Sequence, residues 1–210
     1  MKVSSICNHN IRDVAQYPCY YTGAMVYQRN YLSHSNWLRV TAWALLLTTA
    51  WAQEPQKLAP YYPTPDTVVA KMLELGDLKA GEKMFDLGSG DGRIVIAAAQ
   101  RFHADAVGVE FDKDLCRESL DRIRTLGLEK SAQIIEGDVL RQDYSSADLI
   151  TVYLSVKSND KVRPLLERQL KKGTRIVAHD FEFKGWAPAK VENIEDDGAG
   201  RSHTLYLYRR

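Results

Sequence analysis

From residue 63 onward, short apolar runs alternate with stretches whose apolar residues recur at helical spacing. Pro63-Thr64-Pro65-Asp66 reads as a helix start, with Thr64 as N-cap, Pro65 in the first turn and Asp66 facing the positive end of the dipole. Val68, Val69, Met72 and Leu73 form its apolar stripe, and Gly76 reads as the glycine just past its end. Lys83 to Leu87 is a buried strand, followed by an apolar helix of Ile94, Val95, Ile96 and the alanines 97 to 99. Ala106 to Glu110 is a second strand. Asp112 to Leu126 is a helix with Cys116, Leu120 and Ile123 on one face and Gly127 at its end. Ala132 to Glu136 and Asp148 to Leu154 are the next strands. Lys157 to Leu170 is a helix carrying Val162, Leu165, Leu166 and Leu170, and Arg175 to His179 a fifth strand. Ala189 to Ile194 and Ser202 to Tyr208 pair as a hairpin around Asp196-Asp197-Gly198-Ala199-Gly200. Strands alternating with helices call for a parallel sheet with right-handed crossovers. The expected fold is therefore α/β, a seven-stranded, mostly parallel sheet ending in an antiparallel hairpin.

The N-terminal quarter has a different character. Arg39 precedes a 13-residue apolar run, Val40 to Ala52, which closes on Ala50-Trp51-Ala52. A basic flank, a short apolar core and a small-x-small ending predict a secretory signal peptide in residues 1–52, cleaved after Ala52. The run is shorter than the roughly 18 to 20 residues that span a bilayer; an uncleaved membrane anchor is the alternative. Met25 is a second plausible start. Residues 53–62 read as a polar, proline-containing linker, and 63–210 as the folded domain. Loss of the leader removes Lys2, Arg12, Arg29, Arg39 and Asp13, which takes the formal charge from +1 to −2. That balance disfavours nucleic acid as a partner. The three cysteines, Cys7, Cys19 and Cys116, have no metal-binding or disulfide spacing.

Candidate chemistry gathers where the first strand enters its helix, at Asp86-Leu87-Gly88-Ser89-Gly90-Asp91-Gly92. Alternating glycines permit left-handed backbone and close approach of a ligand. The spacing is one residue shorter than the Gly-x-Gly-x-x-Gly of dinucleotide enzymes, in a Rossmann-like setting. Asp91 places negative charge where a pyrophosphate would lie. A ligand with a sugar and an amino group but no phosphate suits the turn. Three acids close successive strands: Asp86, Glu110 and Asp138. Glu110 lies about 20 residues past the turn, where an acid meets ribose hydroxyls in such sheets. Asp138 can accept from an adenine amine, and Asp86 can hold an ammonium. Tight packing and helix capping are the plainer readings of the same residues.

Asp86 to Gly92, then Gly108-Val109-Glu110, then Glu136-Gly137-Asp138, resembles the motif series of class I S-adenosylmethionine-dependent methyltransferases over roughly residues 60 to 210. Tyr62-Pro63-Thr64-Pro65, Thr151-Val152-Tyr153-Leu154 and His179-Asp180-Phe181 are similar to the small lysine methyltransferases of the ATP synthase c-subunit and adenine nucleotide translocase type. The chain departs from that group after Leu154, where Ser155-Val156-Lys157-Ser158 replaces a proline-containing loop. The resemblance implies S-adenosylmethionine as cofactor, held by Pro63, Thr64, Asp86, Gly88, Ser89, Gly90, Asp91, Gly92, Glu110, Phe111, Asp138 and Val139. It implies Tyr153 close to the methyl donor and a protein substrate, in this group a membrane protein.

Methyl transfer is an in-line displacement that depends on holding the nucleophile in line with the methyl–sulfur bond. A lysine acceptor must first lose a proton. Tyr153 is the expected positioning residue, with Asp180 or His179 beside the acceptor. Their plainer readings are a core aromatic, a cap and a strand-end histidine. Phe181, Phe183 and Trp186 are either an aromatic wall at the acceptor entrance or packing. A small-molecule or lipid methyltransferase, or a non-catalytic binder of the cofactor, remain the rival functions. The leader predicts an exported or membrane-associated protein, in the bacterial periplasm or at the inner membrane, with a cytoplasmic one as the alternative.

Overall fold

The computed structural model describes residues 58–210. The predicted leader, its cleavage point and residues 53–57 lie outside them. Among the described residues no helix is long and apolar enough to cross a membrane.

The elements in order are α1 (Asp66–Leu75), β1 (Lys83–Leu87), α2 (Arg93–Phe102), β2 (Asp105–Glu110), α3 (Lys113–Thr125), β3 (Ala132–Glu136), a short 3₁₀ turn (Val139–Arg141), β4 (Leu149–Val152), α4 (Val156–Gln169), β5 (Arg175–His179), β6 (Lys190–Ile194) and β7 (His203–Arg209). The strands form one sheet in the order β3-β2-β1-β4-β5-β7-β6. Every pair from β3 to β5 is parallel, and β7 runs antiparallel to both β5 and β6. The α/β, Rossmann-like sheet with its C-terminal hairpin is thus present. Strand order reverses between β1 and β4, and a ligand of such a sheet lies outside the carboxyl ends of the strands there.

Alternation along the strands splits the core in two. Met84, Ala106, Leu149 and Val177 pack with α1 and α2 on one face. Phe85, Leu87, Val107, Ile150 and Ile176 pack with α4 and Tyr144 on the other. Asp86 lies between Phe85 and Leu87 and so points to the face of Met84, opposite Thr151 of β4 in the register.

Four local expectations need correction. The N-cap of α1 is Pro65, without a side-chain cap bond. Thr64 is buried and turns its hydroxyl to His179 Nδ1, 3.4 Å away. Gly76 is not the left-handed residue: its φ is −68°, and Asp77 takes the positive φ of 50°. The Leu78 amide reaches back to the Leu73 carbonyl and the Asp77 amide to Glu74, which closes the helix around Asp77. Glycine is needed at 76 for space, since a Cβ there meets Leu149 Cδ1 at 2.8 Å. On α3 the inner face is Cys116, Ser119 and Ile123, and Leu120 is exposed. Finally, β4 pairs only from Leu149 to Val152, so Tyr153 and Leu154 leave the strand at the switch point.

Candidate active site

A cleft of about 350 Å³ opens at the carboxyl ends of β1, β2 and β4. Its lining includes the expected cofactor residues Pro63, Thr64, Asp86, Gly88, Ser89, Gly90, Asp91, Glu110, Phe111, Asp138 and Val139, together with Tyr153. Gly92 does not line it; with φ of 75° it caps α2 instead. His179 also lies behind the wall, fully buried.

The glycine turn is built inward. The amides of Gly88 and Ser89 donate to Val109 O (2.9 and 3.1 Å), that of Gly92 to Ser89 O (2.9 Å), and that of Gly90 to Glu110 Oε2 (2.8 Å). These four amides are spent within the protein, so the turn offers no ring of donors to a phosphate. Gly90 carries φ of 55° and lies under the Tyr61 ring, where a Cβ would stand 2.7 Å from Tyr61 Cε2. Ser89 tucks its side chain against Gly108, and its buried hydroxyl has no hydrogen-bond partner. Gly108 itself is a residue that sequence reading did not mark for the site: a Cβ there meets Ser89 Oγ at 2.5 Å and Ile134 Cδ1 at 2.8 Å. Gly108→Ala is expected to lower stability by about 1–3 kcal/mol through overpacking and to weaken cofactor binding by displacing the turn. Denaturant melts and calorimetry measure the two effects.

Glu110 joins the turn to the end of β2. Oε1 accepts from the amides of Phe111 (2.9 Å) and Asp112 (2.8 Å), and Oε2 from Gly90. A carboxylate offers about four lone-pair directions, so Oε2 is the oxygen left for a ribose hydroxyl. Asp138 caps the 3₁₀ turn through the Leu140 amide (2.8 Å) while lining the cleft. Asp91 departs from expectation in its charge. Its carboxylate is bracketed by Arg93 (Nη2, 2.9 Å) and Arg122 (Nη1, 2.7 Å), which neutralise it. Burial alone would raise its pKa, but these arginines hold it below the usual carboxylate range. The same Arg93 donates to Thr64 O (2.9 Å) and ties down residues 58–64, which form one wall. Ser158 bonds Leu58 O and Arg201 bonds the Tyr62 hydroxyl, fixing that wall at two further points.

Asp86 is the perturbed acid. Burial, then the carboxylates of Glu110 and Asp91, push its pKa up to about 7, against a bond from Thr151 Oγ1 (2.8 Å). Raised above the ordinary 3.8, it makes the folded protein bind an extra proton, so its contribution to stability is full below about pH 4 and lost as pH rises through 7. A cation bound beside it favours the ionised form. S-Adenosylmethionine binding near pH 7 is therefore expected to expel a proton, and Asp86→Asn to abolish that release. Calorimetry in buffers of different ionisation enthalpy reads it directly.

At the acceptor end, Tyr153 stacks on His179 with ring centroids 3.8 Å apart, and its hydroxyl lies 3.3 Å from Asp180 Oδ2. Burial, then Asp180, push the phenol up to about 12, so it stays protonated. Burial pulls His179 down to about 4, with His203 adding and Asp180 opposing, so its ring is neutral. Asp180 sits at φ of 58°, an uncommon backbone for a residue other than glycine. Burial would raise its pKa, yet the Thr204 amide and His203 hold it below the usual range. Sequence reading missed His203, Asp197 and Arg201. His203 Nδ1 lies 3.0 Å from Asp180 Oδ2 and 2.9 Å from His179 Nε2, and its Nε2 lies 3.3 Å from Asp197 Oδ2. These close contacts are hydrogen bonds, so the His179, Asp180 and His203 trio is satisfied without a cation. Of the three aromatics, Phe181 faces the cleft, 6.0 Å from Tyr153, whereas Phe183 packs between Trp186 and Tyr208.

The cleft fits S-adenosylmethionine by its donor set: buried or half-buried carboxylates at three strand ends for hydroxyls and amines, and a turn whose amides are directed away from any phosphate. Comparison with known proteins agrees. A family profile described as ANTKMT methyltransferase domain matches residues 86–190. A protein-lysine N-methyltransferase of Saccharolobus islandicus is 43% identical, over 71% of this chain and 92% of the relative. The adenine nucleotide translocase lysine N-methyltransferase of Mus musculus is 31% identical, over 72% of this chain and 66% of the relative. Among solved structures, an RNA methyltransferase from Salinibacter ruber in complex with S-adenosyl-L-homocysteine is 39% identical with a TM-score of 0.66, covering 70% of this chain and 93% of that one.

Proposed function

Because this chain belongs to the ANTKMT methyltransferase domain family and is an S-adenosylmethionine-dependent methyltransferase, we propose that it methylates the side-chain amine of a lysine in a protein substrate. The observation that carries this reading is the acceptor end of the cleft. Tyr153, Phe181 and the carboxylate of Asp180 face an incoming group, an arrangement suited to an ammonium. Bound at the strand ends, the cofactor supplies an electrophilic methyl group on a sulfonium. Glu110 and Asp138 orient its sugar and base, and Asp86 meets its ammonium. Tyr153 aligns the attacking nitrogen, and the wall of residues 58–64 keeps water out.

Two relatives carry lysine in their names and a solved one carries RNA. An RNA acceptor calls for cations turned to phosphate at the mouth. Here Arg93 and Arg201 are committed to Asp91 and Asp197, which favours the amine. That the substrate is membrane-associated, and the enzyme itself exported or membrane-bound, remains part of the proposal on one ground, the apolar segment Val40 to Ala52. The test is incubation with methyl-labelled S-adenosylmethionine and separated protein and RNA extracts, followed by acid hydrolysis. Labelled methyl-lysine is expected. Label confined to nucleosides or to small molecules overturns the reading.

A further inference from the structure

Behind the acceptor pocket lies a connected set of polar side chains that the binding of cofactor does not require. Asp180 is its member open to the cleft: its side chain is 26% exposed, against 5% or less for His179, His203 and Asp197. His203 stands between two carboxylates, Asp180 Oδ2 at 3.0 Å and Asp197 Oδ2 at 3.3 Å. Asp197 is held ionised by the amides of Ala199 (2.7 Å) and Arg201 (3.2 Å) and by the Arg201 guanidinium (2.9 Å). Tyr153 and the Thr204 amide are the other groups on Asp180, and Tyr62 lies on the far side of Arg201.

We propose that His203, backed by Asp197, receives through Asp180 the proton that the acceptor amine must shed before it attacks. This rests on the amine-acceptor reading given above. In the step, an N–H bond of the ammonium breaks and its electron pair stays on nitrogen. The proton passes to Asp180 Oδ2 and on to His203 Nδ1, and it returns to solvent by the same route once product leaves. An imidazole suits the task because its ordinary titration range lies near neutrality, whereas Tyr153 is held as a phenol and Asp180 as a carboxylate.

The hydrogen-bond inventory accommodates both protonation states. Before uptake, His203 donates from Nε2 to Asp197 and accepts at Nδ1 from His179 Nε2, 2.9 Å away. After uptake, His203 donates from both nitrogens to the two carboxylates, and the His179 Nε2 hydrogen turns to Asp180 Oδ2 at 3.4 Å. Thr64 Oγ1, 3.4 Å from His179 Nδ1, partners the other side of that ring throughout. No buried nitrogen is stranded in either state. The carboxylates on either side of His203 balance the charge that the proton brings.

Single-turnover methyl transfer to a lysine-containing protein, from pH 6.5 to 10 with enzyme saturated in cofactor, tests the relay. His203→Gln keeps a hydrogen-bonding side chain that takes up no proton. It is expected to be about 10- to 100-fold slower at pH 7.5. Its rate should climb about tenfold per pH unit and come within about threefold of the unmodified enzyme near pH 10, where the amine loses its proton unaided. Cofactor affinity, read by calorimetry, should stay within about twofold, since His203 touches none of the expected cofactor contacts. Asp197→Asn should shift the profile in the same direction by a smaller factor, and carries the test if His203→Gln does not fold. A deficit of equal size at every pH, or no deficit at pH 7.5, overturns the relay. Failure of the unmodified enzyme to label any amine overturns the amine reading itself, and is seen before either variant is needed.

Discussion

Glu110→Ala is expected to raise the dissociation constant for S-adenosylmethionine at least about 100-fold, which is about 2.7 kcal/mol, and to loosen the turn that receives it. The carboxylate accepts from the amides of Gly90, Phe111 and Asp112 while lining the cleft. Bonds to a charged acceptor contribute about 1.5–3 kcal/mol each, and stranding their donors costs a similar amount. Alanine leaves three donors unpaired and removes the oxygen aimed at the ribose. Glu110→Gln separates the two roles. Its carbonyl can still serve Phe111 and Asp112, but its amide group then opposes the Gly90 N–H, so only the link between the turn and β2 is lost. A loss of about 10-fold in affinity with a small change in stability is expected for Gln. Calorimetry with the cofactor and its demethylated product, beside denaturant melts, decides it. Unchanged affinity in the alanine variant would remove Glu110 from the site.

Asp180→Asn is the second large effect. Asparagine is isosteric and tolerates the left-handed backbone at φ of 58°, so the variant should fold. It cannot take a proton or pair with an ammonium, and its amide group opposes either Tyr153 or His203 across contacts of 3.3 and 3.0 Å. Methyl transfer is expected to fall about 10²- to 10³-fold, with cofactor affinity changed less than about threefold. That split between turnover and binding distinguishes it from Glu110. Equal losses in both would assign Asp180 to cofactor binding instead. Asp180→Ala adds a backbone penalty of about 1–2 kcal/mol at the same φ, and a thermal melt should show it.

The cofactor half of the site was legible because its parts are local. Asp86, Glu110 and Asp138 each end or follow a short apolar run, and a strand buried on both faces reads as such a run without help from its neighbours. The acceptor half was legible only in Tyr153, His179 and Asp180. Their partners Asp197, Arg201 and His203 come from the C-terminal hairpin, and pairing of β7 with β5 brings them in. No local pattern distinguishes such a histidine from any other on a strand. The corrections at Thr64, Gly76, Leu120 and Asp91 share one cause. Each was assigned from its immediate neighbours in sequence, and each is decided by a residue far along the chain: His179, Leu149, the Ser119 contact with Gly90 O, and Arg122.

Apolar periodicity and the spacing of glycines and acids determined that this chain makes a parallel sheet with a phosphate-free nucleoside site at its strand ends, since those features depend on backbone geometry over a few residues at a time. Only the tertiary structure decided where the charges are balanced and how the acceptor pocket is backed. Asp91 is neutralised by α3, and Asp180 is aimed by a histidine from β7. Electrostatic partners are chosen by distance in space, and the order of residues along the chain carries that distance only after the sheet has closed.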